Sequence, residues 1–201
     1  RSTDIPTIFK NEGDYRFMPI VFHPYSVTQS DVTWGDYNND GLLDLLLMGT
    51  DHEMGADRLT LFRNAGNDEF VAINAPFEGV REGNASWGDL DNDGDLDIVV
   101  TGGKGTSLEA STTVYINKES TFEKMLIDLP GLDFSRIAVG DVDNDLDLDL
   151  VVAGSGSSSQ ILAGKAYLFV NTSVTTNTKP AAPSVLQALP DGQRVDLSWN
   201  V

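Results

Sequence analysis

Cysteine is absent from the 201 residues. That absence excludes a thiol nucleophile, a zinc–thiolate centre and a disulfide framework, although it does not fix the compartment. Histidine is nearly as scarce: His23 and His52 lie far apart and outside any recognisable motif, which favours surface or packing roles over catalysis. Basic residues number 13 against 31 acidic ones, and the formal charge of -18 repels polyphosphate and anionic membrane surfaces. No nucleic-acid partner is expected, and cations are the natural ligands. No apolar run approaches the roughly 18 residues that mark a membrane span, so no membrane insertion is expected. No signal-peptide pattern opens the chain, and Arg1 in place of methionine points to a missing N-terminal segment.

What the chain does have is 40% hydrophobic residues in short β-branched runs (IVV, LVV, VYI), punctuated by 19 glycines and 8 prolines. Short apolar runs between turn residues read as many short strands, so the fold class is all-β.

The sequence also repeats. VTWGDYNNDGLLDLLLMG (32–49) recurs as ASWGDLDNDGDLDIVVTG (85–102) and as IAVGDVDNDLDLDLVVAG (137–154). A second marker keeps the same beat of 52 to 54 residues: TIFKN, LTLFRN, TVYIN and YLFVN end at Asn11, Asn64, Asn117 and Asn171. The first three asparagines are followed by a polar turn and an aromatic, Phe17, Phe70 and Phe122, as in a hairpin; the fourth runs into NTSVTTNTKP. Each full unit reads as four strands, a before the aspartate loop, b after it, c ending at the asparagine and d around the aromatic. Four short strands per unit match one blade of a β-propeller.

The expected layout is therefore a part blade at 1–27, blades at 31–75, 84–127 and 136–171, a linker at 172–180 and a second-domain fragment at 181–201. A ring needs about four blades or more, so the remaining blades would come from missing sequence or another chain. The doubtful last outer strand, residues 172–176, raises the expectation that the first segment of the chain closes the final blade.

The loop between strands a and b carries the chemistry. Five aspartates alternate from Asp89 to Asp97. Two carboxylates about 4 Å apart repel by about 1 kcal/mol in bulk water and by several times that near a protein surface. The loops hold no lysine or arginine to offset this. Calcium takes six to eight oxygen ligands, and a tight loop with acidic side chains at positions 1, 3 and 5 can wrap it. The expected ligands are Asp36, Asn38, Asp40 and Asp44 with the Leu42 carbonyl; Asp89, Asp91, Asp93 and Asp97 with the Asp95 carbonyl; and Asp141, Asp143, Asp145 and Asp149 with the Asp147 carbonyl. Gly41 and Gly94 at position 6 suit a left-handed turn. Leu146 stands there in the third loop, at a cost of about 1–2 kcal/mol if the backbone is left-handed, so up to three calcium ions are expected, the third bound more weakly.

An EF-hand would need a bidentate glutamate at position 12 and flanking helices. Leu47, Val100 and Val152 occupy that position within strands, which excludes it, and a dockerin-type loop fails on the same grounds. A merely acidic, solvated hairpin is disfavoured by three copies with one spacing.

These loops resemble the D-x-D-x-D-G-x-x-D loops of FG-GAP and VCBS repeats, as found in integrin-alpha-like propellers, over about residues 7–171. Leu146 departs from that pattern, and Asn38 replaces an aspartate. The resemblance implies a calcium-stabilised propeller on a secreted or cell-surface protein, with functions spanning adhesion, glycan recognition and scaffolding beside a catalytic domain. After the polar linker and Pro180–Pro183, SVLQALPDGQRVDLSWN resembles strands A and B of a fibronectin type III domain, with Trp199 as the core tryptophan.

No catalytic site stands out. The carboxylates are better used as calcium ligands than as a glycosidase pair, the serines of GSGSSSQ (154–160) lack a nucleophile-elbow setting, and Trp34 and Trp87 repeat at one blade position, which favours packing over sugar stacking. The b–c loops at 50–58, 103–112 and 154–160 differ among units while the aspartate loops agree, the contrast expected if they carry a protein or glycan ligand; drifting surface loops explain it about as well. Asn84 and Asn171 fit the glycosylation sequon. The favoured function is a non-catalytic adhesion or binding module; the alternative is an accessory domain of a secreted polysaccharide-degrading enzyme.

Overall fold

The computed structural model of the chain describes residues 8–20, 22, 24–105, 109–156, 164–172, 184–191 and 194–200. Among them are strands and turns but no helix. β1 (Ile8–Asn11) and β2 (Phe17–Ile20) form an antiparallel hairpin. Two four-stranded antiparallel sheets follow in strict chain order: β3 (Val27–Gly35), β4 (Asp44–Asp51), β5 (Ala56–Gly66) and β6 (Glu69–Ala72), then β7 (Arg81–Gly88), β8 (Asp97–Gly103), β9 (Ala110–Lys118) and β10 (Thr121–Lys124). A third sheet orders β11 (Leu132–Gly140), β12 (Asp149–Gly156) and β13 (Gly164–Phe169). The architecture is all-β, a partial propeller whose blades follow the repeat.

β14 (Ser184–Asp191) and β15 (Arg194–Asn200) pair in a two-stranded sheet. The hairpin covers the stretch read as the opening of a sandwich domain. Residues 173–176, on which the ring-closure expectation turns, lie outside the described residues.

The apolar runs follow from the stacking of sheets. Successive side chains on a strand point to opposite faces. On β4, Leu46 and Met48 join a core with Ile98, Val100 and Tyr115 of the second sheet, while Leu45 and Leu47 pack with Phe22 and Phe62 beside the first hairpin. On β8, the intervening Val99 turns the other way, with Val114 and Ile116, onto Leu150 of the third sheet. A strand covered on both faces has no solvent side, so the alternation between apolar and polar residues disappears.

Each first strand begins ahead of the expected starts at 31, 84 and 136, because a β-bulge interrupts it between Thr28 and Asp31, Arg81 and Asn84, and Asp133 and Arg136. The bulges put Gln29, Glu82 and Phe134 in the left-handed region, at φ of 52°, 54° and 48°.

The glycine that ends each first strand lets the next sheet approach. A Cβ at Gly35 would lie 2.7 Å from the Trp87 ring, and one at Gly88 would lie 3.0 Å from Val139, which occupies the tryptophan's place in the third unit. Trp87 also packs into the core shared by the first two sheets, near Phe122. Trp34, at the same blade position, is 44% exposed and rests on Phe70. The difference arises because Trp87 meets a complete neighbouring sheet, whereas the cleft beside Trp34 is walled on its far side by Ile8, Lys10 and Ile20 of the first hairpin.

Candidate metal centre

The aspartate loops join β3 to β4, β7 to β8 and β11 to β12. All three fold alike, because their side chains take up the backbone N–H groups of the turn. The position-1 carboxylate accepts two of them: Asp36 from Asp40 (3.1 Å) and Gly41 (2.8 Å), Asp89 from Asp93 and Gly94 (both 3.1 Å), and Asp141 from Asn144 (2.7 Å) and Leu146 (3.2 Å). The position-5 carboxylates of Asp40, Asp93 and Asp145 each accept the N–H two residues on, at 2.9, 2.9 and 3.0 Å. Position 6 is left-handed in every copy: Gly41 at φ 84°, Gly94 at 94° and Leu146 at 77°. The leucine therefore adopts a backbone that glycine reaches without strain.

The last aspartate of each loop does something the spacing did not reveal. Asp44, Asp97 and Asp149 are all but fully buried. One oxygen of each accepts the position-2 N–H of its own loop, from Tyr37 (3.2 Å), Leu90 (2.8 Å) or Val142 (2.7 Å). The other accepts the N–H of the asparagine that follows strand c or lies within it: Asn64 (2.7 Å), Asn117 (2.8 Å) or Asn171 (2.8 Å). The two sequence markers keep the same beat because they are hydrogen-bonded to each other.

Those asparagines also bind the sheets together. Asn117 donates its side-chain amide to the carbonyl of Tyr37 in the preceding sheet at 2.7 Å, and Asn171 donates to Leu90 at 2.9 Å. Asn84 spans all three sheets: its amide nitrogen donates to Asp31 (2.7 Å) and its oxygen accepts the Ile137 N–H (2.9 Å). Both sequon asparagines thus hold their amide nitrogens in contacts between blades, where an attached glycan would break the joint.

In the second loop, carboxylate oxygens of Asp89, Asp91 and Asp97 lie within 4.8 Å of one another, as do those of Asp141, Asp143 and Asp149 in the third. Asp93 and Asp145 are not part of these groups. In the first loop Asn38 replaces the position-3 carboxylate, and its amide donates to Asp40 at 2.9 Å. The described residues bring no three acidic groups together there. Asp95 and Asp147, expected to offer carbonyls, turn their side chains toward the preceding loop, where they accept from Asn39 and Asn92.

The buried carboxylates are costly to hold as bare anions, a cost that either a proton or a cation would relieve. Burial pushes the Asp97 carboxyl up to about 7. Asp91 is also raised, by burial first and then by Asp93 and Asp89, and Asp44 is raised mainly by burial. Asp91 Oδ1 is buried without a hydrogen-bond partner among the described residues, and a buried acceptor left unsatisfied costs about 1–3 kcal/mol. An all-oxygen, multiply anionic donor set with such an orphan fits a hard divalent cation such as calcium better than a soft transition metal.

On the opposite face, of the three b–c connections only the first lies wholly within the described residues. The first is a tight turn on the buried Asp51, which accepts the N–H groups of Glu53 (2.9 Å) and Met54 (3.1 Å) and pairs with Arg58 at 2.9 Å. Asp57 accepts from Arg81 (3.0 Å) and from the Gly105 N–H (2.6 Å), joining the first two sheets. His52 is exposed on this turn, and His23 lies outside the described residues. Among the described residues no helix is long and apolar enough to cross a membrane.

A family model for the FG-GAP-like repeat matches the chain twice, over residues 36–100 and 89–152. Each match runs from the first aspartate of one loop into the strand that follows the next loop, so the matched stretch spans the contact between neighbouring sheets. No curated protein is significantly similar to the chain. The two matches together span 36–152, more than half of the 201 residues, and the chain belongs to the FG-GAP-like repeat family.

Proposed function

We propose that the protein is a calcium-stabilised extracellular β-propeller module, non-catalytic, that serves adhesion or the binding of a protein or glycan. The observation that carries the calcium reading is the convergence of Asp89, Asp91 and Asp97, with the orphaned Asp91 Oδ1, and its recurrence at Asp141, Asp143 and Asp149. Asp36, Asn38, Asp40 and Asp44 would form the corresponding oxygen set of the first loop.

A bound ion would supply the positive charge these loops lack and tie both ends of each turn to one centre. Three divalent ions would take the formal charge from -18 to -12. The protein's own groups set the rest: the position-9 aspartate fixes strand c, and the asparagine fixes the neighbouring sheet. Metal binding is then linked to folding of the whole stack.

Recognition would fall to the b–c face, whose loops differ in sequence from blade to blade while the aspartate loops keep one spacing. Membership of a repeat family common in extracellular proteins supports that setting. The test is a glycan and protein array probed with the calcium-loaded protein, then repeated with variants of residues 52–55. Binding lost with those variants supports the reading, and calcium-loaded protein that binds nothing on either array favours a structural spacer.

A further inference from the structure

The side chains of Asn39 and Asn92 occupy position 4 of the first and second aspartate loops, and each reaches into the loop of the following sheet. Asn39 Nδ2 donates to Asp95 Oδ1 at 2.8 Å and lies 3.4 Å from the Gly94 carbonyl. Asn92 Nδ2 donates to Asp147 Oδ1 at 2.8 Å. In both cases the acceptor is the position-7 residue of the next loop, whose backbone carbonyl is a proposed calcium ligand. The carboxylate of Asp95 is held from its own sheet as well, by the Glu119 N–H at 2.9 Å, and Asp147 is only 2% exposed.

Both asparagines adopt left-handed backbones, φ 55° and 62°, a conformation that asparagine tolerates better than most residues. That backbone accompanies a side chain directed across the blade boundary. In the first loop position 7 is Leu42, which offers no side-chain acceptor, so this loop gives a clamp and receives none. In the third, the clamp from Asn92 meets the residue next to the strained Leu146.

We infer that Asn39 and Asn92 are positioning residues that couple the metal loops in one direction: each sets the ligand geometry, and so the calcium affinity, of the loop in the following blade. This rests on the calcium reading above. Asp95 is pinned from both sides and Asp147 from the preceding loop, and either hold keeps the residue's carbonyl in place before an ion arrives, so less ordering remains for the ion to impose. The third loop, weakened by Leu146, depends most on its clamp.

The test is a calcium titration of the 201-residue protein followed by NMR at the backbone amides of Gly41, Gly94 and Leu146, each of which donates to the first aspartate of its own loop and so reports one site. Asn→Gly is the informative change, because it removes the side-chain amide without straining the left-handed backbone. Asn39→Gly is expected to weaken binding at the Gly94 reporter by roughly tenfold and to leave the Gly41 reporter within about twofold, on the scale of one hydrogen bond to a charged group. Asn92→Gly is expected to do the same at Leu146 and spare Gly94. Asn144→Gly, the same change where no further loop follows among the described residues, is expected to leave Gly41 and Gly94 unmoved.

Loss confined to the variant's own loop, or an equal loss at all three, overturns the coupling and leaves the calcium reading standing. Absence of any calcium-dependent shift in the unsubstituted protein overturns both.

Discussion

The side-chain amide of Asn117 donates to the backbone carbonyl of Tyr37 at 2.7 Å, while the Asn117 N–H donates to Asp97 at 2.8 Å. One fully buried residue therefore ties the third strand of the second sheet, β9, to its own aspartate loop and to the loop of the first sheet. Asn117→Ala is expected to destabilise the protein by about 2–4 kcal/mol, because it strands the carbonyls of Tyr37 and Leu96 in the interior. Chemical denaturation measures it, and a loss below about 1 kcal/mol would show that the link between sheets is dispensable.

Gly35 and Gly140 stand at the same position in two units, with opposite surroundings. Gly35→Ala places a methyl group 2.7 Å from the Trp87 ring, whereas a Cβ at Gly140 meets nothing within 4 Å. The first change is expected to cost about 1–3 kcal/mol through overpacking. The second is expected to be neutral or to stabilise by about 0.4–1 kcal/mol, since it only restricts the unfolded chain. Equal effects in denaturant unfolding would mean that the sheets do not stack closely at Gly35.

Leu146 holds a φ of 77° and is 43% exposed. Leu146→Gly relieves the backbone at the loss of a side chain that is already nearly half exposed, so it is expected to stabilise the metal-free protein by up to about 1 kcal/mol. Titration calorimetry of the same variant is expected to show tighter calcium binding at the third loop. Destabilisation on both counts would mean that the leucine side chain contributes packing that outweighs the strain.

Much of this was legible in the sequence. The period of 52 to 54 residues located the sheets, and the alternating aspartates located the turns between strands a and b. The phase shared by Asp97 and Asn117 was also visible, but not its cause, because a repeat reports position along the chain and not which atoms meet. The partners of Asn39 and Asn92 lie more than fifty residues away, so their reach into the next loop needs the stacking of sheets to be known. Trp34 and Trp87 looked equivalent and differ because their neighbours differ. The sequons at Asn84 and Asn171 matched a surface motif, yet both amides are spent between blades.

Asp97 sets the expected pH dependence. Its carboxyl is raised by burial to about 7, above the ~3.9 of an unfolded aspartate. Between those values the metal-free native state holds a proton that the unfolded chain does not. Stability in EDTA is therefore expected to fall as pH rises from about 4 to about 7, with Asp44 and Asp91 shifted in the same sense. Calcium competes with that proton, so its affinity is expected to drop as pH falls below about 7. Melting curves from pH 5 to 8, with and without calcium, check both slopes. Parallel curves would separate Asp97 from the metal.

The most direct measurement is thermal unfolding of the 201-residue protein in excess EDTA and in millimolar calcium, paired with titration calorimetry to count ions. If calcium completes the blades, the melting temperature rises markedly with the ion and binding saturates at up to three sites, the third weaker. An unchanged melting temperature with no binding heat would mean that the convergence of Asp89, Asp91 and Asp97 holds no ion, and that hydrogen bonds alone maintain the loops.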